Sequence, residues 1–130
     1  MAELTAAGGR TRPAGRLELY AWLFMRVSGV VLLFLALGHL AIMHLLEGVD
    51  KINFAFVAGR WSNPLWRFYD WFLLALALVH GFNGVRVMVD DYVRRPGLRV
   101  FSLVMLWVLT LVFLVAGTLV IVLFQVPVGG

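Results

Sequence analysis

The chain has 130 residues, of which 62% are hydrophobic and 14% charged, and its mean hydropathy is +0.93. A soluble domain of this length is nearer half apolar and a quarter charged, so the composition indicates an integral membrane protein. The net charge of +4 comes from arginines beside apolar runs, not from a basic patch on a polar domain, which excludes the usual nucleic-acid signature. Without cysteine, the chain can form no disulfide and ligate no iron–sulfur cluster.

The apolar residues fall into three runs. Residues 1–18 are predicted to be a flexible cytoplasmic tail, residues 19–126 an all-α membrane domain, and residues 127–130 a short tail. The runs, at about 20–46, 65–90 and 100–124, are each long enough to cross a bilayer as a helix. Between the first two, the piece 52–57 is too short to span, and Pro64 fits the first turn of the next helix.

Basic residues are distributed unequally between the two sides of such a bundle. The N-terminal tail and the 90–99 turn share one side, which carries six arginines against one lysine and one arginine in the 47–64 loop. The positive-inside rule therefore predicts a cytoplasmic N-terminus and an outer C-terminus in the cell inner (cytoplasmic) membrane. Ionisable groups within only three helices predict partner chains that complete a larger bundle. The six arginines are Arg10, Arg12, Arg16, Arg94, Arg95 and Arg99.

The second run contains His80, and a histidine inside lipid is costly unless it faces a partner. Residues four and eleven positions apart lie on nearly one helix face, so His80, Gly84 and Asp91 form a stripe. This stripe offers an imidazole ligand, a gap for a flat group and a carboxylate at the membrane–water interface. This combination favours a haem. Arg86 could pair with a haem propionate. The alternative is a structural histidine hydrogen-bonded to a neighbouring helix.

The first run contains His39 and His44. At 1.5 Å per residue, His39 lies roughly 25 Å and His80 roughly 13 Å from the cytoplasmic boundary, so they cannot clamp one iron. Each would need an axial partner on another helix, most simply in another chain. Ligand and structural roles are equally open for His39. His44 lies near the outer edge, where an interfacial histidine costs little.

Polar groups near the cytoplasmic boundary form a second candidate site. Arg26 and Ser28 lie just inside the first run, and Asp91 and Tyr92 end the second. Arginine, hydroxyl and phenol groups can donate hydrogen bonds to carbonyl oxygens, as binding of a quinone headgroup requires. The alternative is that the arginines reach back to lipid phosphates and that the aspartates pair with nearby arginines.

Two motifs, together with the lengths and order of the three spans, resemble the membrane anchors of succinate dehydrogenase (complex II) over residues 18–125. An Asp-Tyr pair after the histidine is usual in the D-type anchor, whereas the Arg-Val-Ser-Gly start is more often found in the C-type. The chain is identified as D-type, and it looks most like actinobacterial cytochrome b556 versions. The motifs are Arg26-Val-Ser28-Gly29 and His80-x3-Gly84-x-Arg86-x3-Asp90-Asp91-Tyr92.

This resemblance implies that the three transmembrane helices form half of a haem-binding helix bundle. His80 would be an axial ligand of a haem b, and His39 is at the depth of a second haem, which predicts a two-haem complex. Tyr92 and Asp91 would flank a quinone, menaquinone or ubiquinone, with Arg26 and Ser28 near it. The implied partners are a C-type second anchor, an iron–sulfur subunit, a flavoprotein and membrane lipid, with trimerisation of the complex.

The expected function is to anchor a succinate:quinone oxidoreductase and to help pass electrons from succinate to the quinone pool. The chain itself would perform no succinate chemistry. Three alternatives remain: an anchor of a quinol:fumarate reductase, a structural anchor without haem, and a small transporter or channel subunit. The last would use His39, His80 and Arg86 as a proton path.

Overall fold

A computed structural model of the chain describes residues 15–124, which are helical throughout their regular parts and contain no strand. Helix α1 spans Arg16–Leu40 and continues into a π-helical turn at Ala41–Leu46. A 3-10 turn at Val49–Lys51 leads to the short helix α2 at Phe54–Trp61. Helices α3 at Pro64–Tyr92 and α4 at Pro96–Leu123 complete the chain. The prediction of an all-α protein with three membrane-spanning helices is confirmed, since three helices are long and apolar enough to cross a bilayer.

The helix ends differ from the predicted ones by a few residues. Helix α1 begins at Arg16, so the last residues of the expected tail are helical, while residues 1–14 and 125–130 lie outside the described part of the chain. Helix α3 continues to Tyr92 and α4 begins at Pro96, which reduces the expected turn at 90–99 to residues 93–95. Proline in the first turn starts α4 early because its missing N–H would be unpaired there anyway.

The segment between α1 and α3 is ordered by two asparagine caps. Asn53 Oδ1 accepts a hydrogen bond from the Phe56 amide at 2.9 Å and starts α2. Asn63 Oδ1 accepts one from the Leu65 amide at 2.9 Å, with Pro64 in the first turn of α3 as predicted. Such caps satisfy backbone donors that a helix start otherwise leaves unpaired. The short piece expected at 52–57 therefore folds as part of a separate two-turn helix.

Helix α3 is central, because α1 and α4 both pack mainly on it. The α3–α4 contact is close: the Leu74 side chain fills the space that a Cβ on Gly117 would need. Nearby, Trp71 Nε1 donates to Thr118 Oγ1 at 3.1 Å, and the rings of Phe82 and Trp107 lie 4.6 Å apart.

The chain has almost no core of its own. Among the described residues, only Ser28, Ala58 and Ile121 are buried, while most large apolar side chains on the three long helices are exposed. Apolar exposure on this scale is unsuited to water and fits a surface covered by lipid and other membrane chains.

Candidate functional site

A side-chain hydrogen bond between α1 and α3 joins Ser28 to His80. Ser28 Oγ lies 2.8 Å from His80 Nδ1, and the serine is only 3% exposed. On α1, Met25, Ser28 and Gly29 occupy neighbouring positions of the face that meets α3. A Cβ on Gly29 would lie 3.5 Å from His80 Cε1, so the imidazole lies directly against the backbone of α1.

The surroundings of Ser28 indicate how this hydrogen bond is arranged. The Met25 carbonyl oxygen lies 3.5 Å from Ser28 Oγ and can accept the hydroxyl proton. The hydroxyl oxygen can then accept Nδ1–H of His80, which leaves the lone pair on Nε2. Within residues 15–124, no side chain hydrogen-bonds Nε2. This arrangement leaves His80 able to ligate a metal through Nε2.

Gly84 lies one turn beyond His80, where the sequence predicts a gap for a flat group. In this chain, the Met25 methyl group lies 3.6 Å from the position that a Gly84 Cβ would occupy. The space beside Gly84 is therefore bordered by a flexible, unbranched side chain, of the kind that adapts readily to its neighbours.

The other residues predicted for the haem and quinone sites are not gathered around His80. Arg86 is exposed and lies six residues on, roughly 240° around the helix, on another face of α3. Arg26 is exposed, with its guanidinium 4.3 Å from the centre of the Trp22 ring. Asp91 shares the face of His80 but is exposed at the helix end, and Tyr92 beside it is 78% exposed. Ser28 alone contacts His80, so the four predicted quinone residues form no single pocket within the described chain.

A second polar cluster lies toward the other end of α3, centred on Asp70. Arg60 Nη2 is 3.0 Å from Asp70 Oδ1, and Trp61 Nε1 donates to Oδ2 at 2.8 Å. Both donors belong to α2, so the carboxylate attaches this short helix to α3. The Arg60 side chain is only 6% exposed, and its guanidinium lies 4.1 Å from the centre of the Trp66 ring.

His39 of α1 belongs to this second cluster. Its Nε2 is 3.8 Å from Asp70 Oδ1, and its ring is parallel to that of Tyr69 with centres 6.4 Å apart. The Tyr69 hydroxyl donates to the Leu35 carbonyl at 2.6 Å, which joins α1 to α3 at this level. His44 is exposed on the π-helical turn. In His39, Nε2 is the nitrogen that would most simply ligate an iron, and it faces the Asp70 carboxylate.

Asp70 is the centre of a polar cluster that the sequence interpretation missed. It is the one acidic residue within the apolar part of α3, between Tyr69 and Trp71. A carboxylate at that depth is expensive unless it is paired, and this alone could have predicted a buried partner. Its partner Arg60 could not be identified because α2 lies outside the apolar runs.

An apolar groove lies on a different face of α3 from His80, between α1 and α4. Most of its lining is apolar, and His80 does not contribute to it. Within residues 15–124, no group of three or more histidine, cysteine, aspartate or glutamate side chains could hold a metal ion. A metal ligated by this part of the chain would thus need ligands from a cofactor or another chain. Groove residues include Tyr20, Phe24, Phe82, Asn83, Trp107 and Thr110.

Residues 9–124 match the family described as succinate dehydrogenase/fumarate reductase transmembrane subunit. The chain belongs to this family. The matched range includes the residues of both polar clusters. The match confirms the resemblance to a succinate dehydrogenase membrane anchor that the two motifs indicated.

Two relatives place the chain among these transmembrane subunits. It is 29% identical over 105 residues to succinate dehydrogenase 2 membrane subunit SdhC of Mycobacterium tuberculosis, covering 81% of this chain and 75% of the relative. It is 30% identical over 75 residues to a succinate dehydrogenase hydrophobic membrane anchor subunit of Archaeoglobus fulgidus, covering 58% of this chain and 63% of the relative. Both names are those of succinate dehydrogenase membrane subunits, and they do not separate the C-type from the D-type anchor.

Proposed function

We propose that this chain is the D-type anchor of a succinate:quinone oxidoreductase in the cytoplasmic membrane, where His80 ligates a haem b. The observation that carries the proposal is the Ser28–His80 contact of 2.8 Å, which engages Nδ1 and leaves Nε2 for iron. In metal-ligating histidines, the second ring nitrogen is commonly held in this way, which fixes the tautomer and the ring plane. A histidine with only a structural role would more simply use both nitrogens within the protein.

The residues present fit a haem that is shared with another chain. His80 would hold the iron from this chain, and a further protein ligand would come from the C-type anchor, since His39 lies at a different level. Gly84 and the flexible Met25 beside it form the part of the surface that a flat macrocycle would approach. When bound, a haem b accepts and releases single electrons. The role of this chain is to hold and orient the iron ligand and to exclude water from it.

Only one haem ligand is proposed for this chain. The prediction of a second haem rests on the depth of His39 alone. Its Nε2 lies 3.8 Å from Asp70, and that carboxylate is held by Arg60 and Trp61. Ligation through Nε2 would require His39 to leave this cluster, so the geometry favours one haem.

The quinone is proposed to bind near the end of α3 that carries Asp91 and Tyr92. Both are exposed in the isolated chain, as expected for residues that complete a site together with partner subunits. A phenol hydroxyl can donate to a quinone carbonyl and stabilise charge that develops on it during reduction. Arg26, exposed beside Trp22 on α1, is the second proposed donor.

Orientation and partners follow from the distribution of arginines. The end of the bundle with Arg94, Arg95 and Arg99 is proposed to face the cytoplasm. The iron–sulfur subunit and the flavoprotein would dock there, the second anchor would cover the His80 face, and trimerisation would cover further apolar surface. Electrons from succinate would then reach the quinone through the iron–sulfur subunit. A quinol:fumarate reductase uses the same anchor in reverse and is the alternative within this family.

The arrangement of charges supports the transporter hypothesis less well than it supports the anchor function. A proton path would need ionisable or hydroxyl groups at short intervals across the membrane. His80 and Asp70 are ten residues apart on α3, roughly 15 Å, and the residues between them are all apolar. Two isolated clusters do not make a continuous path within residues 15–124.

The proposal is tested by His80→Ala in the assembled complex. Haem per complex, measured as pyridine haemochrome, should fall from about one to near zero, because the iron loses an axial ligand that no nearby side chain can replace. His44→Ala, which removes an exposed histidine of the same chain, should leave haem content unchanged. Full haem in the His80 variant would contradict ligation, and quinone reduction that persists without haem would favour a structural anchor.

The quinone site is tested separately by Tyr92→Phe. Removing one hydroxyl should lower quinone reduction by up to roughly 100- to 1,000-fold, the range expected for a lost charge-stabilising donor. Succinate oxidation with an artificial dye, which takes electrons before the membrane step, should not change. A parallel fall in both activities would instead identify Tyr92 as a structural residue.

A further inference from the structure

We infer that Ser28 is a positioning residue for His80, acting on the haem through the imidazole instead of contacting the quinone. This inference rests on the proposed function, because it assumes that His80 ligates a haem. It departs from the sequence prediction that placed Ser28 among the quinone donors.

The burial of Ser28 carries the first step. At 3% exposure it is the only buried polar residue among the described ones, in a chain where nearly every side chain has some exposure. A hydroxyl in this position can reach groups at the α1–α3 contact but is closed to a ligand approaching from the membrane surface. The residues near the surface that could meet a quinone, Arg26 and Tyr92, are exposed instead.

The hydrogen bonds of the hydroxyl carry the second step. Ser28 Oγ has two described neighbours, His80 Nδ1 at 2.8 Å and the Met25 carbonyl at 3.5 Å. Accepting from Nδ1–H and donating to this carbonyl uses the single hydroxyl proton. A quinone carbonyl would need that same proton, so Ser28 cannot serve the imidazole in this way and donate to a quinone at once.

The packing around the ring carries the third step. Ser28 holds the ring at Nδ1, and the ring packs beside Gly29, where a Cβ would be 3.5 Å from Cε1. The direction of Nε2 is therefore set by α1. In metal sites, partners of this kind typically change metal affinity by roughly 10- to 100-fold when they are removed.

The test compares three variants of the intact complex: Ser28→Ala, Ser28→Thr and Ser102→Ala. The first removes one oxygen, the second keeps a hydroxyl, and the third removes a half-buried serine hydroxyl from α4. Haem transfer to excess apomyoglobin measures haem retention, and the low-spin electron paramagnetic resonance signal reports the orientation of the axial ligands. Quinone KM and dye-coupled succinate oxidation are measured in parallel.

Ser28→Ala is expected to lose haem roughly 10- to 100-fold faster and to shift the low-spin signal, with quinone KM unchanged. Ser28→Thr and Ser102→Ala should resemble the unmodified complex; if the threonine variant does not assemble, the comparison of the two alanine variants decides. A raised quinone KM in Ser28→Ala with unchanged haem would overturn the inference and return Ser28 to the quinone site. Unchanged haem and KM would also overturn it, while loss of haem in His80→Ala would still support the proposed function. Absence of haem from the unmodified complex would overturn both.

Discussion

The two polar clusters of this chain lie on the same helix and differ in whether the central side chain from α3 has both of its polar atoms paired within the described residues. At Asp70, both carboxylate oxygens meet donors from α2, and His39 and Arg60 surround the group. At His80, one ring nitrogen is bonded to Ser28 and the other meets no described side chain. A carboxylate that is paired at both oxygens stabilises the fold, although Arg60 Nε in the same cluster is buried without a described partner. The second nitrogen of His80 is instead open to a partner from outside.

The difference matters more in a membrane than it would in water. Lipid offers no hydrogen bonds, so a polar group inside it either finds a protein partner or binds something else. The Asp70 cluster contains opposite charges that neutralise one another, and removing either charge leaves the other exposed to a medium of low dielectric. The Ser28–His80 pair contains no carboxylate or guanidinium, and Nε2 meets no side chain among the described residues.

The largest effect is expected from Asp70→Ala. It leaves the buried Arg60 guanidinium without its counter-charge, which should lower the free energy of unfolding by about 3 kcal/mol. Thermal inactivation of the purified complex measures the stability, and haem absorbance of the same sample measures the haem content. Haem content of the complex that does assemble should stay normal.

The matched control is Asp50→Ala, which removes an exposed carboxylate from the connecting segment and should have little effect. Selective loss of haem at normal stability would contradict the division into a structural and a functional cluster.

A smaller effect is expected from His39→Gln. Glutamine keeps a donor near Asp70 but cannot ligate haem iron, so stability should fall by no more than about 1 kcal/mol and haem content should not change. Haem per complex, compared with that of His80→Ala, is the deciding measurement. Loss of half of the haem from a two-haem complex would identify His39 as a ligand and would make both clusters functional.

The smallest effect is expected from Arg99→Ala. Arg99 Nη2 lies 2.8 Å from Asp90 Oδ1, about as close as Arg60 lies to Asp70, but the two side chains are 50% and 33% exposed. Because water and ions screen an exposed pair, the change in unfolding free energy should be about 0.5 kcal/mol or less. Thermal inactivation at low and at high salt checks this, since a screened pair should contribute even less in high salt. An effect as large as that of Asp70→Ala would show that burial does not separate the two ion pairs.

The sequence predicts the fold better than it predicts the site. Long apolar runs are sufficient to identify three helices, and Pro64 marks the start of α3. Pro96 was instead assigned to a charged turn, so the start of α4 was predicted a few residues too late. His80 was identified because a histidine in an apolar helix is conspicuous. Its contact with Ser28 was not predicted, since that contact depends on how α1 is rotated against α3. Periodicity within one helix carries no information about that rotation.

Two residues show what the pattern of a single helix leaves out. Arg86 was associated with His80 by proximity in sequence and stays a prediction, and six residues along a helix bring it to a different face. Asp70 was overlooked, because its partners Arg60 and Trp61 come from α2, a helix too short to produce a clear pattern. Interactions between helices that are distant in sequence therefore account for most of what was missed.

The π-helical turn at Ala41–Leu46 is a place where the chain can gain or lose a residue. Its wider hydrogen-bonding pattern, with the Glu47 amide bonded to the Ile42 carbonyl at 3.1 Å, accommodates one residue more per turn than an α-helix. Deleting one residue here would restore an ordinary helix and leave the positions of Ser28 and Leu35 earlier in α1 unchanged. The turn is thus a place where the gene can gain or lose a codon while the contacts between α1 and α3 persist. Family members are expected to differ by single-residue gaps at this turn more often than in the α1 segment before it.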